Sequence, residues 1–398
     1  MRIAIDYNAA LRQVAGIGRY TRELVRALSD LGSGDELVLF YAARDLPRNG
    51  PALEALRQLQ STNPRVVAAP IPLPERWLTI AWQRLRAPLP VERWTGPVDV
   101  VHAPDFVLPP ARTRRTLLTV HDLSFRLHPE AAHANLRRYL ENAVPRSLRR
   151  ASRVLADSRS TAQDLRRLMG VPDEQITVLY PGIGAQFRRV EDQARLDAVR
   201  ARYRLPARFI LHVGTIEPRK NILRLIYAFT RLRAERAGEA DVPGLVLAGK
   251  PGWLSDPIVE RARATEGVLL TGPVDDEDLP ALYTLAAALA YPTLYEGFGF
   301  PPLEALACGT PAVASNTSSL PELVEGAAAL VDPSDTAALA AALLRTLVDP
   351  AVRQAALVEG PPRAARFTWT VAAQQLLNIY RTLQDRRSPD HASVSGGE

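Results

Sequence analysis

Short apolar runs alternate with helix-patterned segments along this chain, and the alternation occurs twice. In the first half, runs of strand length fall at 3–6, 37–41, 66–71, 98–102, 116–120, 154–156 and 177–180; in the second they fall at 209–213, 245–248, 268–270, 287–291, 312–315 and 328–331. Strands separated by helices cannot pair as hairpins, so each set forms a mostly parallel, doubly wound sheet with both faces covered. Such a sheet binds ligands in the crevice beyond the carboxyl ends of its strands, and residues placed there are the candidates for chemistry.

A chain of 398 residues is too long for one ordinary core and has room for two such units. The rigid and then flexible turns of Tyr180-Pro181-Gly182-Ile183-Gly184 mark the join, giving domains 1–184 and 185–370 with a polar helix over 192–203 opening the second. The tail 386–398 is polar, with Gly and Ser, and reads as disordered. Hydrophobic residues make up 47% of the chain, and no apolar run approaches the roughly 20 residues of a membrane span. The start, MRIAIDYNAA, enters strand alternation without a signal-peptide core, so a cytoplasmic protein is expected. The single cysteine, Cys308, excludes an internal disulfide framework and a cysteine-built metal site, and it lies on the apolar side of a short helix.

A net charge of +6 admits nucleic acid, an anionic membrane or an acidic small substrate as partner. The basic residues are scattered along helices and no nucleic-acid motif is present, so nucleic acid is discounted. Of 49 basic residues only Lys220 and Lys250 are lysines, and both fall in loops after apolar strands. A compact ammonium suits a phosphate as a point charge.

The stretch YEGFGFPPLEALACGTP, 295–311, follows an apolar strand and opens a helix: Pro301 and Pro302 sit where proline is tolerated at a helix start, and Gly309 where a C-terminal glycine belongs. Gly297 and Gly299 let a ligand approach the loop backbone, and free N–H groups at the helix start favour an anion. Glu296 precedes the loop, and Glu304, with seven residues between them, is placed in the first helical turn. Carboxylates accept hydrogen bonds from sugar diols while backbone amides hold phosphate oxygens. The plainer alternative makes Glu304 a complement to the helix dipole and Glu296 a loop charge.

EGFGFPPLE resembles the signature of retaining nucleotide-sugar glycosyltransferases of the GT-B fold, glycosyltransferase family 4. The resemblance implies two Rossmann-like domains facing a central cleft, a mannosyltransferase-like activity, and a last helix, 371–385, crossing back to the first domain. It implies that Glu296 touches the transferred sugar and Glu304 holds the ribose, with Gly297, Phe298, Gly299 and Phe300 lining the donor site. The donor would be a GDP- or UDP-sugar and the acceptor a glycan, a lipid-linked sugar or a small molecule, with no cofactor. Gly16 and Gly18 before a helix resemble the family's glycine loop near sugar and diphosphate, with Arg19 close to any phosphate held there; a tight turn is the plainer reading. Gly214-Thr215-Ile216-Glu217-Pro218-Arg219-Lys220-Asn221 resembles the family's diphosphate-binding loop, Lys220 and Arg219 meeting the leaving charge. Many members carry arginine after the glycine, where this chain has Thr215. Lys250 and Val274 end the next two strand loops on the donor side, the latter against the base.

His121, at the end of the run 116–120, would face the transferred sugar and contact a sugar hydroxyl or support charge near the anomeric centre, with Asp122 orienting the imidazole or a neighbouring loop; a satisfied structural histidine is the alternative. His102 and Asp105 are candidates for the acceptor side. Trp77, Leu78, Ile80, Ala81, Trp82 and Leu85 recur at helical spacing beside Arg76, Arg84 and Arg86, which reads as an acceptor wall including Trp82, as a peripheral membrane contact, or as a core-facing helix among solvated arginines. Ser158 or Ser160 caps the helix over 161–169. Asp275-Asp276-Glu277-Asp278 could mimic a metal-binding Asp-x-Asp pair, but opens a helix at 277–289 where acids serve as caps, so no metal is expected. The expected reaction keeps the anomeric configuration and uses no enzyme nucleophile. Two rivals bind the same donor: a GT-B epimerase or hydrolase, and a non-catalytic nucleotide-sugar-binding protein.

Overall fold

The computed structural model describes residues 1–13, 16–47, 49–131, 133–236, 238 and 241–385; the tail 386–398 lies outside the described residues. Seven strands make the first sheet: β1 (Arg2–Asp6), β2 (Glu36–Ala42), β3 (Val66–Ile71), β4 (Val100–Ala103), β5 (Thr116–Val120), β6 (Arg153–Ala156) and β7 (Ile176–Val178). Six make the second: β8 (Phe209–Val213), β9 (Gly244–Ala248), β10 (Val268–Gly272), β11 (Ala288–Tyr291), β12 (Ala312–Ser315) and β13 (Ala329–Val331). All pairings between these strands are parallel, in the orders β3-β2-β1-β4-β5-β6-β7 and β10-β9-β8-β11-β12-β13.

Burial follows position in the sheet. Central β4, β5, β9, β11 and β12 are buried throughout, whereas the edge strands β7, β10 and β13 are only partly covered. Pro70 lies in β3, an edge strand, where a missing N–H breaks no ladder. The strand order reverses between β1 and β4 in one sheet and between β8 and β11 in the other, and these switch points open the two crevices.

The last helix, Trp369–Asp385, buries Trp369, Ala372, Ala373, Leu376, Leu377, Tyr380 and Leu383 in the core of the first sheet, alongside Ile3, Ile5, Tyr20 and Leu24. The chain therefore passes between the halves twice, and the two passages touch: Ile183 N donates to Phe367 O at 2.9 Å and Ile183 bridges Thr368 in parallel. A Cβ on Gly182 would lie 2.0 Å from Trp369 N, so only glycine fits.

Segment 75–86 departs from the single amphipathic helix its spacing predicts. A helix over Glu75–Thr79 passes into a π-helical turn, Ile80–Arg84, which shifts the register of the faces. Trp77 and Leu85 end up 55% and 73% exposed, while Trp82 packs edge-on to Trp94 and donates from Nε1 to Leu89 O. The helix expected over 277–289 spans Leu279–Leu285 only, and Asp278 makes no side-chain cap: Arg195, Arg202 and the Tyr203 hydroxyl take its carboxylate. Cys308 is buried in the core of the second half.

Gly182→Ala should cost about 1–3 kcal/mol by overpacking the double passage, read as a lower urea midpoint for the full chain. An unchanged midpoint would mean that the two passages separate freely.

Candidate functional site

The site is built where β8 and β11 diverge. After β8 the chain turns through Gly214 to a short 3-10 turn, Pro218–Lys220, and Asn221 takes the left-handed conformation (φ 57°) before the helix Ile222–Glu235. Asn221 Nδ2 donates to Pro292 O and Pro333 O, at 3.0 and 2.7 Å. The loop after β11 is zipped to the same turn: Leu294 N donates to Arg219 O at 2.9 Å, Thr293 Oγ1 to the same oxygen at 3.1 Å, and Arg219 Nη1 back to Tyr295 O at 2.7 Å.

This zipper delivers Glu296 to two cations. Its Oε1 accepts from Lys220 Nζ at 2.6 Å and from Thr293 Oγ1 at 2.8 Å, and its Oε2 lies 3.0 Å from Arg219 Nη1. Arg219 Nη2 also donates to Glu217 Oε1 at 2.8 Å, and Lys220 Nζ to the Tyr291 hydroxyl at 2.9 Å. Burial acts to raise the Glu296 carboxyl, but Arg219 and Lys220 overcome it and bring the pKa down to about 2, so the group is charged at neutral pH. Burial pulls Lys220 below the ordinary lysine value against the attraction of Glu296. His212, buried on β8, stacks on Tyr291 with ring centroids 5.7 Å apart; burial first, then Lys220, lower it to about 4, so it adds no charge beside the lysine.

Glu304 lies on the helix Phe300–Ala307, one residue beyond its first turn, because Phe300 rather than Pro301 is the first helical residue. Too deep for a dipole complement, it is 1% exposed and bonded at both oxygens: Oε1 to Arg19 Nη1 at 2.8 Å and Oε2 to the Tyr283 hydroxyl at 2.7 Å. Arg19 projects from the first half of the chain, on the helix Ile17–Asp30 whose N-cap is Gly16 (φ 60°). Gly18, in the first turn of that helix, has no room for a side chain, since a Cβ there would meet Gln13 O at 1.9 Å.

Several sequence expectations need correction. Gly297 is glycine because a Cβ would lie 1.9 Å from His121 O, and Gly299 because its backbone sits at φ 121°, where a side chain is strained; these constraints come from the protein itself. The Phe298 ring is core, packed edge-on against Phe300 and Phe367, so it offers the donor site no side chain. His102 is fully buried, with Nδ1 on the Tyr380 hydroxyl at 2.7 Å and Nε2 on Thr119 Oγ1 at 3.0 Å, so it cannot touch an acceptor. Trp82 spends its indole on its own half, as described above. Of the two roles expected for Asp122, the structure has the second: it caps its own loop by accepting from Ser124 N at 2.8 Å, while the group that orients His121 is Asp157.

His121 is held at both ring nitrogens, Nδ1 by Asp157 Oδ2 and Nε2 by Pro104 O, each at 2.7 Å. Two oxygen acceptors require both nitrogens to donate. Burial opposes the imidazolium, but Asp157 prevails and raises the pKa to about 9. The ring is thus a fixed cation at the end of β5, with no nitrogen left for a sugar hydroxyl in this arrangement. Asp105 is half-buried beside Gln13 and raised by burial. Thr215 and Val274 are half-buried and Lys250 is exposed.

Across the seam, Tyr295 OH donates to Asp164 Oδ2 at 2.7 Å, and Trp253 Nε1 to Ala131 O. Glu322 accepts from Arg159 N and Ser160 N, both at 3.0 Å, at the start of the helix Arg159–Met169, whose N-cap side chain is Ser158. Among the described residues, no group of three or more His, Cys, Asp or Glu side chains converges as a metal site, and no helix is long and apolar enough to cross a membrane.

The family model for group 1 glycosyl transferases matches residues 199–359, and that for glycosyltransferase family 4 matches residues 14–187. O-antigen chain mannosyltransferase B of Escherichia coli is 33% identical over 390 residues, covering 96% of this chain and all of that protein. Among solved structures, a sucrose-phosphate synthase from Thermosynechococcus elongatus superposes with a TM-score of 0.72 at 24% identity, over 96% of this chain and 99% of that one. HepE of Anabaena, solved with UDP and glucose, gives 0.70 at 18% identity, over 96% and 100%. Two Rossmann-like halves, each built on a parallel sheet, are the architecture of the GT-B fold. The chain belongs to the group 1, family 4 glycosyltransferases.

The His121 pair generates a pH prediction. A folded pKa raised to about 9 against an unfolded value near 6.5 contributes stability fully present below about pH 6.5 and lost as pH rises through 9. The wild-type urea midpoint should fall across that window, and Asp157→Asn should flatten the fall. A wild-type midpoint constant from pH 6.5 to 9.5 would show that the ring is not held as a cation.

Proposed function

We propose that this glycosyltransferase moves a hexose of the mannose or glucose type from a GDP- or UDP-sugar to an acceptor hydroxyl of a glycan, a lipid-linked sugar or a small molecule, with retention of configuration. The observation that carries the reading is the buried contact of Lys220 with Glu296 at the switch point of the second sheet. The mannose alternative is supported by the Escherichia coli mannosyltransferase that matches almost end to end.

Glu296 is ionised and directional, and the lone pair of Oε2 beyond the one facing Arg219 suits a hydroxyl of the transferred sugar. Lys220 gives two of its three N–H groups to Glu296 and Tyr291, and the third is available to a phosphate oxygen. Arg219 beside it adds fixed positive charge, and such preorganised donors lower the barrier where charge develops on the leaving group. The bond from the anomeric carbon to the phosphate oxygen breaks, and the acceptor oxygen bonds to the same face of that carbon. The acceptor proton passes to the departing phosphate oxygen. Glu304 holds ribose hydroxyls, and the cationic loop takes the electrostatic role that a metal has elsewhere. Contacts such as Tyr295 with Asp164 and Glu322 with residues 159–160 hold the halves together around the reacting groups, which excludes water.

Lys220→Ala should lower kcat/KM by the equivalent of about 2–4 kcal/mol; activity within twofold of wild type would remove the phosphate role. Proton NMR of the first-formed product should show the donor's anomeric configuration, and turnover should persist in EDTA. An inverted product, or turnover abolished by EDTA and restored by magnesium, would refute retention or metal independence respectively.

A further inference from the structure

The side chain of Arg19 starts in the N-terminal half and ends in the C-terminal one. Its Nη1 donates to Glu304 Oε1 at 2.8 Å, and its guanidinium lies against the rings of Phe187 and Phe300, 5.1 and 5.4 Å from their centroids. The other terminal nitrogen, Nη2, is buried and has no hydrogen-bond partner. A buried N–H without an acceptor is costly and uncommon, and two flanking rings keep this guanidinium from swinging its free nitrogen into water. What Nη2 lacks is an oxygen lying against Glu304.

A hydroxyl group supplies one in the required way, because it donates and accepts at once. If its proton goes to Glu304, its lone pairs remain for a donor beside that carboxylate. A guanidinium and a carboxylate held side by side are therefore the two complementary halves of a site for a vicinal diol. A phosphate oxygen is the competing acceptor, but Glu304, 2.8 Å from the same guanidinium, repels a second anion there.

We propose that Arg19 is a donor-binding residue contributed across the cleft, giving a hydrogen bond from Nη2 to a ribose hydroxyl oxygen of a nucleoside diphosphate while Glu304 takes the proton of the diol. The proposal rests on the ribose role of Glu304 and adds that the ribose pocket is finished by the other half of the chain. Gly16 and Gly18 then have a purpose beyond the turn itself: they set the start of the helix that carries Arg19.

The test is calorimetric titration of the full chain with UDP and GDP and with their 2′,3′-dideoxy forms, using whichever base binds. Wild type should prefer the diol-bearing nucleotide by about tenfold or more, and Arg19→Met should cut that preference about fivefold while binding the dideoxy form within about twofold of wild type. Arg19→Gln, a milder change, should give the same pattern and stands in if Arg19→Met does not fold. Equal weakening of both nucleotide forms, or an undiminished preference for the diol, overturns the proposal. Glu304→Gln separates this idea from the one beneath it. If wild type shows no preference for the diol, the ribose role of Glu304 falls; if the preference vanishes in Glu304→Gln but survives in both Arg19 variants, Glu304 keeps its role and Arg19 loses its own.

Discussion

The geometry of the cleft depends on a buried carboxylate that meets two cations at once. Glu296 is enclosed, and an isolated carboxylate there would be neutral or would unfold its loop. Lys220 and Arg219 keep it charged, and Glu217 balances Arg219 in turn, so two negative and two positive groups close a cluster with no net charge. Such a cluster is a poor source of stability but a strict specification of geometry, since no member can leave without stranding another. Its cost is met by backbone bonds between the loops after β8 and β11, which hold the four groups in register.

The seam between the halves is built with the same economy of partners. His121 is charged by Asp157, its carbonyl presses against Gly297, and Thr161 Oγ1 reaches both His121 O and Gly297 O, at 3.2 and 3.4 Å. A helix start in the first half receives its anion from Glu322 of the second. Charges on each side thus find counterparts on the other, and the side chains at the seam are ordered by contacts with both sheets.

All thirteen strands among the described residues were legible because parallel strands leave unbroken apolar runs, and the turns between them carry Gly, Pro and Asn. The contact of Glu296 with Lys220 was legible in kind, as a carboxylate loop and a cationic loop that both follow strands of one sheet. Partners far apart in sequence were not. Nothing near Glu304 announces Arg19, 285 residues away, and nothing near His121 announces Asp157. Glycines misled for a related reason: spacing shows that a side chain is excluded but not what excludes it, and at Gly297 it is the other half of the chain. The segment 75–86 escaped because a π-helical turn rotates its faces, placing Trp82 inward and Leu85 in solvent.

The paired passages at Ile183 and Thr368 have a mechanical corollary. Two backbones tied side by side, with Gly182 leaving no slack against Trp369, resist being pulled apart or slid past one another. They yield only to bending and torsion about their common point, so the halves can gape like a clam shell while residues near that point hardly move. Displacement grows with distance from the pivot, so contacts across the seam part in order of their distance from it.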